Sequence, residues 1–160
     1  MTSRIRNVAA AGALSAAAAA VGGLATDPQS AWYRSLKLPP WQPPSVAFPL
    51  VWTGLYASIA GASGQAVTAY EAQGRNDEAK GMWRALGANL VLNAGWSFTF
   101  FARHRLFAAT GVAAALAASS WDLSRRAGRA DPRAGRALVP YAGWCTFATV
   151  LTAEIWRRNR

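Results

Sequence analysis

The charged residues of this chain are confined to short clusters, which leaves long stretches that carry no charge at all. The charge-free stretches are residues 7–26, 38–70, 85–102, 106–121 and 137–153. A helix needs about 20 mostly apolar residues to cross the hydrocarbon core of a bilayer, whereas a surface helix of a soluble protein keeps a polar face toward water. The five stretches therefore predict an all-α integral membrane protein, a bundle of five transmembrane helices.

The predicted helix ends are set by the charged residues, glycines and prolines that flank the apolar stretches. We expect one domain over residues 1–160, with helices at about 7–25, 46–70, 82–101, 106–124 and 135–156. The loop over residues 26–44 holds five of the eight prolines, and proline fixes φ and removes a backbone donor. This loop is predicted to be a stiff, extended connector without helix.

The first 25 residues allow two interpretations. An alanine-rich stretch follows Arg4 and Arg6 and ends at Gly23-Leu24-Ala25. This pattern is typical of a secretory signal with a cleavage site. The charge-free stretch of 20 residues is, however, longer than the roughly 7–15 residues of a signal core. We therefore expect a retained first helix, with a cleaved signal and four spans as the alternative.

The scarcity of cysteine and histidine excludes most metal and disulfide chemistry. Cys145 is the only cysteine and His104 the only histidine, so neither an intramolecular disulfide nor a Cys/His metal cluster can form. His104 lies between two arginines in a polar tripeptide, which favours a solvated turn over a catalytic base. No glycine-rich phosphate loop follows a strand pattern. We expect no metal, no cofactor and no nucleotide chemistry.

The net charge of +10 raises the question of a nucleic-acid partner. The arginines lie in clusters at the borders of apolar stretches and not along one face, with the densest group over residues 125–136. Clusters in this position are typical of the flanks of membrane spans, where they contact anionic lipid headgroups. We therefore expect membrane lipid as a partner and no nucleic acid.

Two amides lie inside the predicted third helix. Asn89 and Asn93 are four residues apart, and Trp96 and Phe100 continue the same helical face. An unsatisfied amide in hydrocarbon costs several kcal/mol, so each amide must face a partner or a cavity. Either the amides hydrogen-bond to neighbouring helices, or they line a site.

Three of the eight tryptophans, Trp52, Trp96 and Trp144, lie within predicted spans and not at their ends, where membrane tryptophans usually form an interfacial belt. Each has a neighbour on its own face, such as Tyr56 or Ala148 four residues on. The three aromatic faces either pack together or form a pocket for a flat aromatic ligand. Ring stacking contributes about 0.5–1.5 kcal/mol per pair beyond area burial.

Aromatic residues and prolines recur in the first loop and in the second, third and fifth predicted helices. They and their neighbours are Trp32-Tyr33, Leu36, Pro39, Trp41, Pro43-Pro44, Phe48, Val51-Trp52 and Leu55-Tyr56; Leu92-Asn93, Trp96 and Phe100-Phe101; and Val139-Pro140-Tyr141, Trp144, Phe147-Ala148-Thr149 and Leu151. This pattern resembles the tryptophan-rich sensory protein family, TspO, whose animal members are called translocator protein. The resemblance runs in order from Trp32 to Trp156.

The resemblance implies a five-helix bundle, often a homodimer, whose pocket binds porphyrins, sterols and benzodiazepine-type drugs beneath the first loop. The pocket residues that it implies are Trp52, Tyr56, Asn93, Trp96, Trp144 and Ala148, with Trp32, Trp41, Pro43 and Pro44 in the lid. Ala153 stands where the family's sterol motif has a tyrosine or phenylalanine, so sterol binding by that motif is not expected.

Three functions remain open at this point. The first is a membrane receptor or carrier for tetrapyrroles such as protoporphyrin IX or haem-like ligands. The second is light-dependent porphyrin degradation, in which Trp52 and Trp144 would be the catalytic, oxidisable indoles. The third is a small multidrug or metabolite transporter, for which an acidic residue deep in a span is expected, whereas Asp122 and Glu154 lie near helix ends.

The expected location is a multi-pass position in a bacterial cell membrane, in preference to an organelle membrane. A homodimer is expected through small residues on the third predicted helix, because close backbone approach drives helix association in lipid. These residues are Gly81, Ala85 and Ala88, and the alternative face is formed by Gly54, Ser58 and Gly61 on the second predicted helix. Ten basic residues on one side against seven on the other is too small a bias to predict orientation.

Overall fold

The computed structural model describes residues 2–160, and all regular structure within them is helical. The helices are α1 (Thr2–Ala25), α2 (Ala31–Ser35), α3 (Ala47–Ala72), α4 (Asn76–Ser97), α5 (Leu106–Ala130) and α6 (Pro132–Arg158), and a π-helical turn (Phe98–Ala102) continues α4. Five of these helices are long and α2 is a single short one. The predicted all-α bundle of five long helices is confirmed.

Two of the long helices, Thr2–Ala25 and Leu106–Ala130, are long and apolar enough to cross a membrane by length and composition. In α4 and α6 the first turns carry charged residues. In α3 glycine, serine, threonine and aromatic residues replace the leucine and isoleucine of a typical span. The bundle therefore differs in hydropathy from one helix to the next, although its helices have similar lengths.

The proline-rich connector contains a helix that the sequence-based expectation of an extended loop missed. Ser30 is the N-cap residue that precedes α2, and its side-chain oxygen accepts a hydrogen bond from the backbone N–H of Tyr33 at 3.2 Å. A serine in this position caps one of the unpaired donors of the first helical turn. The chain becomes extended again at Leu36, shortly before the prolines that disfavour helix.

Three helices begin earlier than predicted, because they start with charged residues that were taken as loop residues. α1 begins at Thr2, before the predicted 7, and includes Arg4 and Arg6. α4 begins at Asn76, before the predicted 82, and Asp77 and Glu78 lie in its first turn, where negative charge is favourable. α6 begins at Pro132, before the predicted 135, and the Asp131 side chain accepts from the N–H of Arg133 at 2.8 Å. Proline in the first turn and an aspartate cap are typical helix starts.

The long helices alternate in direction along the chain, so the bundle has two distinct ends. We call one the N-terminal end, which holds the start of α1, residues 73–75 and Asp131. We call the other the lid end, which holds residues 26–46 (the lid segment), the turn at residues 103–105 and the C-terminus. At the lid end, a cluster of buried side chains around Phe100, Leu151 and Ile155 packs against the lid segment.

Two glycines allow helices to approach closely. A Cβ atom on Gly64 of α3 would lie 2.5 Å from the Cα of Val8 in α1. A Cβ atom on Gly135 of α6 would lie 2.6 Å from the Cα of Gly128 in α5. Small residues at such contacts are typical of helix packing in membranes, where close backbone approach supplies the attraction.

Candidate ligand-binding cavity

A cavity of about 640 Å³ lies between the helices toward the lid end of the bundle. Its walls come from α1, α3, α4, α5 and α6, and the lid segment covers it. The volume falls within the roughly 300–1,000 Å³ of typical small-molecule sites. Among the residues that the structure describes, no charged side chain lines it. The cavity is therefore suited to an apolar, uncharged body.

The six residues implied by the family resemblance all lie on the wall of this cavity. Trp52 and Tyr56 come from α3, Asn93 and Trp96 from α4, and Trp144 and Ala148 from α6. The geometry thus brings these six residues, which are far apart in the chain, around one space.

The aromatic side chains of the wall are arranged in pairs. The ring centroids of Trp52 and Tyr56 are 5.5 Å apart, and Trp96 stacks on Phe100 at 5.3 Å. Phe48, which follows the lid segment, meets the ring of Trp144 edge-on at 5.9 Å. Distances of this order are favourable for aromatic pairs. Both interpretations of the tryptophans therefore apply, because the indoles pack with neighbouring rings and also line the cavity.

A chain of hydrogen bonds that begins at the cavity wall joins four helices, α3, α4, α5 and α6. The hydroxyl of Tyr56 donates to Oδ1 of Asn93 at 2.8 Å, and Nδ2 of Asn93 donates to the hydroxyl of Tyr141 at 3.2 Å. The hydroxyl of Tyr141 in turn donates to Oδ1 of Asn89 at 2.8 Å. Asn89 is fully buried, and its Nδ2 donates to Ser120 on α5 at 3.0 Å.

This chain of hydrogen bonds defines the role of the two amides. Asn89 does not line the cavity and bonds only to neighbouring helices. Asn93 lines the cavity and also uses both ends of its amide within the protein. A ligand that contacts Asn93 therefore meets an amide whose orientation is already held by Tyr56 and Tyr141.

Two buried polar atoms on the cavity lining have no hydrogen-bond partner within residues 2–160. They are Nε1 of Trp96, a donor, and Oε1 of Gln42, an acceptor. The other end of the Gln42 amide donates to the hydroxyl of Tyr33 at 3.1 Å. An unpaired buried donor or acceptor costs roughly 1–3 kcal/mol. Both atoms are inaccessible from the empty cavity although their residues line it, so a ligand could bond to either atom only after a side-chain movement.

The lid segment meets the bundle through two tryptophans that do not themselves line the cavity. Trp32 stacks on His104 with ring centroids 4.0 Å apart, and Trp41 meets Phe147 edge-on at 6.0 Å. Pro43 and Pro44 also lie outside the lining. Of the four residues expected in the lid, two therefore hold the segment in place and none contacts the enclosed space.

Other residues of the lid segment cover the cavity, and the sequence patterns did not single them out. They are Thr26, Pro28, Gln29, Tyr33, Gln42, Ser45 and Val46. Polar side chains in a proline-rich loop give no periodic signal. Tyr33 was quoted only as part of the family pattern, and Gln42 lies between the quoted Trp41 and Pro43.

A pair of hydrogen bonds fixes the middle of the lid segment to the C-terminus. The backbone N–H of Lys37 donates to Oδ1 of Asn159 at 2.9 Å, and Nδ2 of Asn159 donates to the carbonyl of Lys37 at 3.2 Å. His104 provides another contact with the lid segment by stacking on Trp32. Its φ is positive at 53°, which is uncommon for a residue with a side chain. With the contact between Trp41 and Phe147, the lid segment is thus attached at three separate places.

Comparison with known proteins gives the family of this chain. The sequence profile of the TspO/MBR family matches residues 10–157. The chain is 34% identical over 142 residues to the tryptophan-rich sensory protein of Cereibacter sphaeroides, with 80% of this chain and 77% of the relative covered. It is 30% identical over 135 residues to the translocator protein of Homo sapiens, with 80% and 75% covered.

A third relative is an uncharacterized membrane protein of Bacillus subtilis (strain 168), which is 33% identical over 128 residues, with 80% of each chain covered. The match to the family profile spans most of the bundle and reaches every helix that lines the cavity. The chain belongs to the TspO/MBR family, a family of helical-bundle membrane proteins.

Proposed function

We propose that the cavity binds a flat tetrapyrrole such as protoporphyrin IX, and that the protein is a receptor or carrier for such ligands in a bacterial cell membrane, which it spans several times. The observation that supports this function best is the presence of three indoles, Trp52, Trp96 and Trp144, on the wall of one uncharged cavity. Stacking on each ring contributes about 0.5–1.5 kcal/mol. A large ring system contacts several of them at once.

The absence of charge on the lining, within the described residues, limits how a porphyrin would lie. Burying an unpaired carboxylate is costly, so the carboxylates should point toward the mouth under the lid segment. Arg34 and Lys37 belong to that segment, and Arg103 and Arg105 flank His104 at the same end. The macrocycle would occupy the aromatic part of the cavity while its acidic groups stay near basic residues and water.

The names of the relatives agree with a binding role. The Cereibacter sphaeroides relative is named a tryptophan-rich sensory protein, and the human relative is named a translocator protein. One name refers to sensing and the other to translocation. For this chain, a receptor or carrier is the proposal that the cavity supports.

The test is a titration of the purified full chain with protoporphyrin IX in darkness. Binding is measured by the absorbance of the porphyrin and by quenching of tryptophan fluorescence. We expect saturable binding near one ligand per chain. Uroporphyrin, which has eight carboxylates where protoporphyrin has two, should bind at least tenfold more weakly, because some of its charges would have to enter the uncharged cavity. Equal binding of the two porphyrins would contradict the proposed site.

A second candidate function is light-dependent breakdown of the bound porphyrin. The observation that favours it is the position of Trp52 and Trp144 on the cavity wall, where an excited macrocycle would meet an oxidisable indole. Such a reaction uses the ligand's own excited state and dioxygen as the oxidant, with no acid–base pair. Trp144→Phe keeps a flat ring, so it should preserve binding in darkness while slowing porphyrin loss in light.

No observation favours a transporter. The two acidic residues nearest to the spans are paired with arginines, Asp122 with Arg126 and Glu154 with Arg157 and Arg158. Neither acidic residue lines the cavity. A proton-coupled exporter would need an acidic group that faces its substrate within the spans.

A further inference from the structure

A second, larger groove of about 920 Å³ lies on the flank of the bundle, outside the ligand cavity. It runs along α3 between α1 and α6, at the N-terminal end, and shares no lining residue with the cavity under the lid segment. Its lining is mostly small and apolar, and consists of Ile5, Val8, Ala9, Gly61, Ala62, Ala134 and Ala137, together with Ser58.

The mouth of this groove is polar and basic. Arg4, Gln65 and Arg133 complete its lining, one from each of the three helices. The guanidinium of Arg4 donates to Oε1 of Gln65 at 3.0 Å, and Nε2 of Gln65 donates to Oδ2 of Asp131 at 2.6 Å. Gln65 therefore holds Arg4 at the mouth by a hydrogen bond that leaves its charge in place.

The two arginines of the mouth differ from several other arginines because neither guanidinium is in direct contact with a carboxylate within residues 2–160. Arg6, two residues from Arg4, pairs with Glu71 at 3.3 Å, whereas neither Arg4 nor Arg133 forms an ion pair. The carboxylate of Asp131 is occupied by Gln65 and by the backbone N–H of Arg133. The charge of Arg133 also acts on Asp131, so this end of the apolar groove carries two positive charges beside one negative charge.

The floor of the groove offers no polar group that needs a partner. The hydroxyl of Ser58 donates to the carbonyl of Ala137 at 2.7 Å. Gly61 leaves open space, because a Cβ atom at this position would meet nothing within 4 Å. The floor extends along α3 from Gln65 to Ser58, a distance of about two helical turns, or roughly 10 Å along the helix axis. The floor can therefore receive a hydrocarbon chain without leaving an unsatisfied polar atom.

We propose that this groove binds an anionic phospholipid, with its phosphate between Arg4 and Arg133 and an acyl chain lying over Gly61 and Ser58. Arginine forms short, paired hydrogen bonds with phosphate, and basic pockets between membrane helices bind acidic headgroups. The apolar floor gives affinity for the chain, so a lipid satisfies both halves of the groove. Free phosphate would satisfy only the mouth.

The experiment is native mass spectrometry of the full chain with phosphatidylglycerol and with phosphatidylcholine of the same acyl chains. We expect phosphatidylglycerol to bind more tightly. One basic residue near the membrane surface corresponds to about fivefold in affinity, so Arg4→Gln and Arg133→Gln should each weaken binding by about that factor. Arg136→Gln is the matched control, since Arg136 is an exposed arginine of the same helix turn outside the groove.

A second variant tests the apolar half of the groove and leaves both arginines in place. Gly61→Leu should fill the floor and reduce phosphatidylglycerol binding at least fivefold, while porphyrin binding in the other cavity stays unchanged and shows that the chain is folded. The proposal is overturned if Arg136→Gln weakens binding as much as the mouth variants, or if Gly61→Leu has no effect. It is also overturned if inorganic phosphate competes as well as the lipid, or if Gly61→Leu converts a lipid-free dimer to a monomer.

Discussion

The hydroxyl of Tyr56 lies 2.8 Å from Oδ1 of Asn93, and this hydrogen bond joins α3 to α4 across the wall of the ligand cavity. Because Asn93 also donates to Tyr141 on α6, one amide fixes the relative positions of three helices. The side chains that a ligand would meet are therefore held before it binds, which lowers the entropy lost on binding.

Removing the hydroxyl of Tyr56 should separate this structural role from ligand stacking. Tyr56→Phe keeps the ring that faces Trp52 at 5.5 Å but leaves Oδ1 of Asn93 without its donor. We expect stability to fall by about 0.5–1.5 kcal/mol and porphyrin affinity to change less than threefold. Thermal unfolding in detergent and a dark titration measure the two effects. A large loss of affinity with unchanged stability would show that the hydroxyl contacts the ligand directly.

The contact between Lys37 and Asn159 predicts a kinetic effect of the lid segment. Asn159→Ala removes both hydrogen bonds to the backbone of Lys37, so the segment should open more often. We expect porphyrin to dissociate severalfold faster in stopped-flow experiments. Asn76→Ala, at the opposite end of the bundle, is the matched control, and porphyrin should dissociate from it at the same rate as from the parent. Equal dissociation rates for all three proteins would mean that the lid does not limit release.

The pH dependence of stability should depend in part on Asp131. The hydrogen bond from Gln65, and then that from the N–H of Arg133, hold the pKa of this exposed carboxyl below its ordinary value, which is about 4 in an unfolded chain. A lowered pKa in the folded state gives stability that is present above the ordinary pKa and lost as pH falls through the folded pKa.

Asp131→Asn should therefore flatten the decrease in melting temperature between pH 7 and pH 3. Asp77→Asn is the control, because Asp77 is an almost fully exposed carboxyl at the same end of the bundle. The effect should be small, since Asp131 is partly exposed to solvent. An unchanged pH profile in Asp131→Asn would contradict a stabilising role of the Gln65 hydrogen bond.

We propose that the chain forms a homodimer through the outward face of α4, and the structure refines which residue tests this. Ala85 packs partly against the core, whereas Ala88 and its neighbour Val91 are exposed. Ala88→Leu should block close helix approach and lower the mass measured by light scattering to that of a monomer. Ala108→Leu, on an exposed position of α5, should leave the mass unchanged. A dimer that survives Ala88→Leu uses another surface.

The architecture of the bundle was predictable because the confinement of charge to clusters is a property of the sequence alone. The errors in helix ends arise where charged residues were taken as loop, and they include the late end of α5 at Ala130, beyond the predicted 124. Asp77, Glu78 and Arg133 are charged residues that favour a loop in a hydropathy argument, whereas in the structure they lie in the first turns of helices. Helix capping depends on single hydrogen bonds, such as that from the N–H of Arg133 to Asp131, which a pattern of apolar residues does not report.

The candidate site was predictable where its residues lie at helical spacing and not where they depend on tertiary contact. Trp52 with Tyr56, and Asn93 with Trp96, form continuous faces that periodicity can detect. Tyr141 was quoted only as part of the family pattern, and its bonds to both Asn89 and Asn93 require α6 to pack against α4. Gln42 likewise reaches the cavity only because the lid segment folds back over the bundle.

The most direct test of the central claim is the affinity of the full chain for protoporphyrin IX in darkness. It is compared among the parent, three cavity variants and one control, which are Trp52→Ala, Trp96→Ala, Trp144→Ala and the control Trp121→Ala. Trp121 lies outside the cavity, is 40% exposed and donates to Thr146. Each cavity variant should weaken binding roughly two- to tenfold, because one stacking contact of about 0.5–1.5 kcal/mol is lost, and the control should bind as the parent does. Equal affinity in all five proteins would contradict the account and leave the three indoles as packing residues of the bundle.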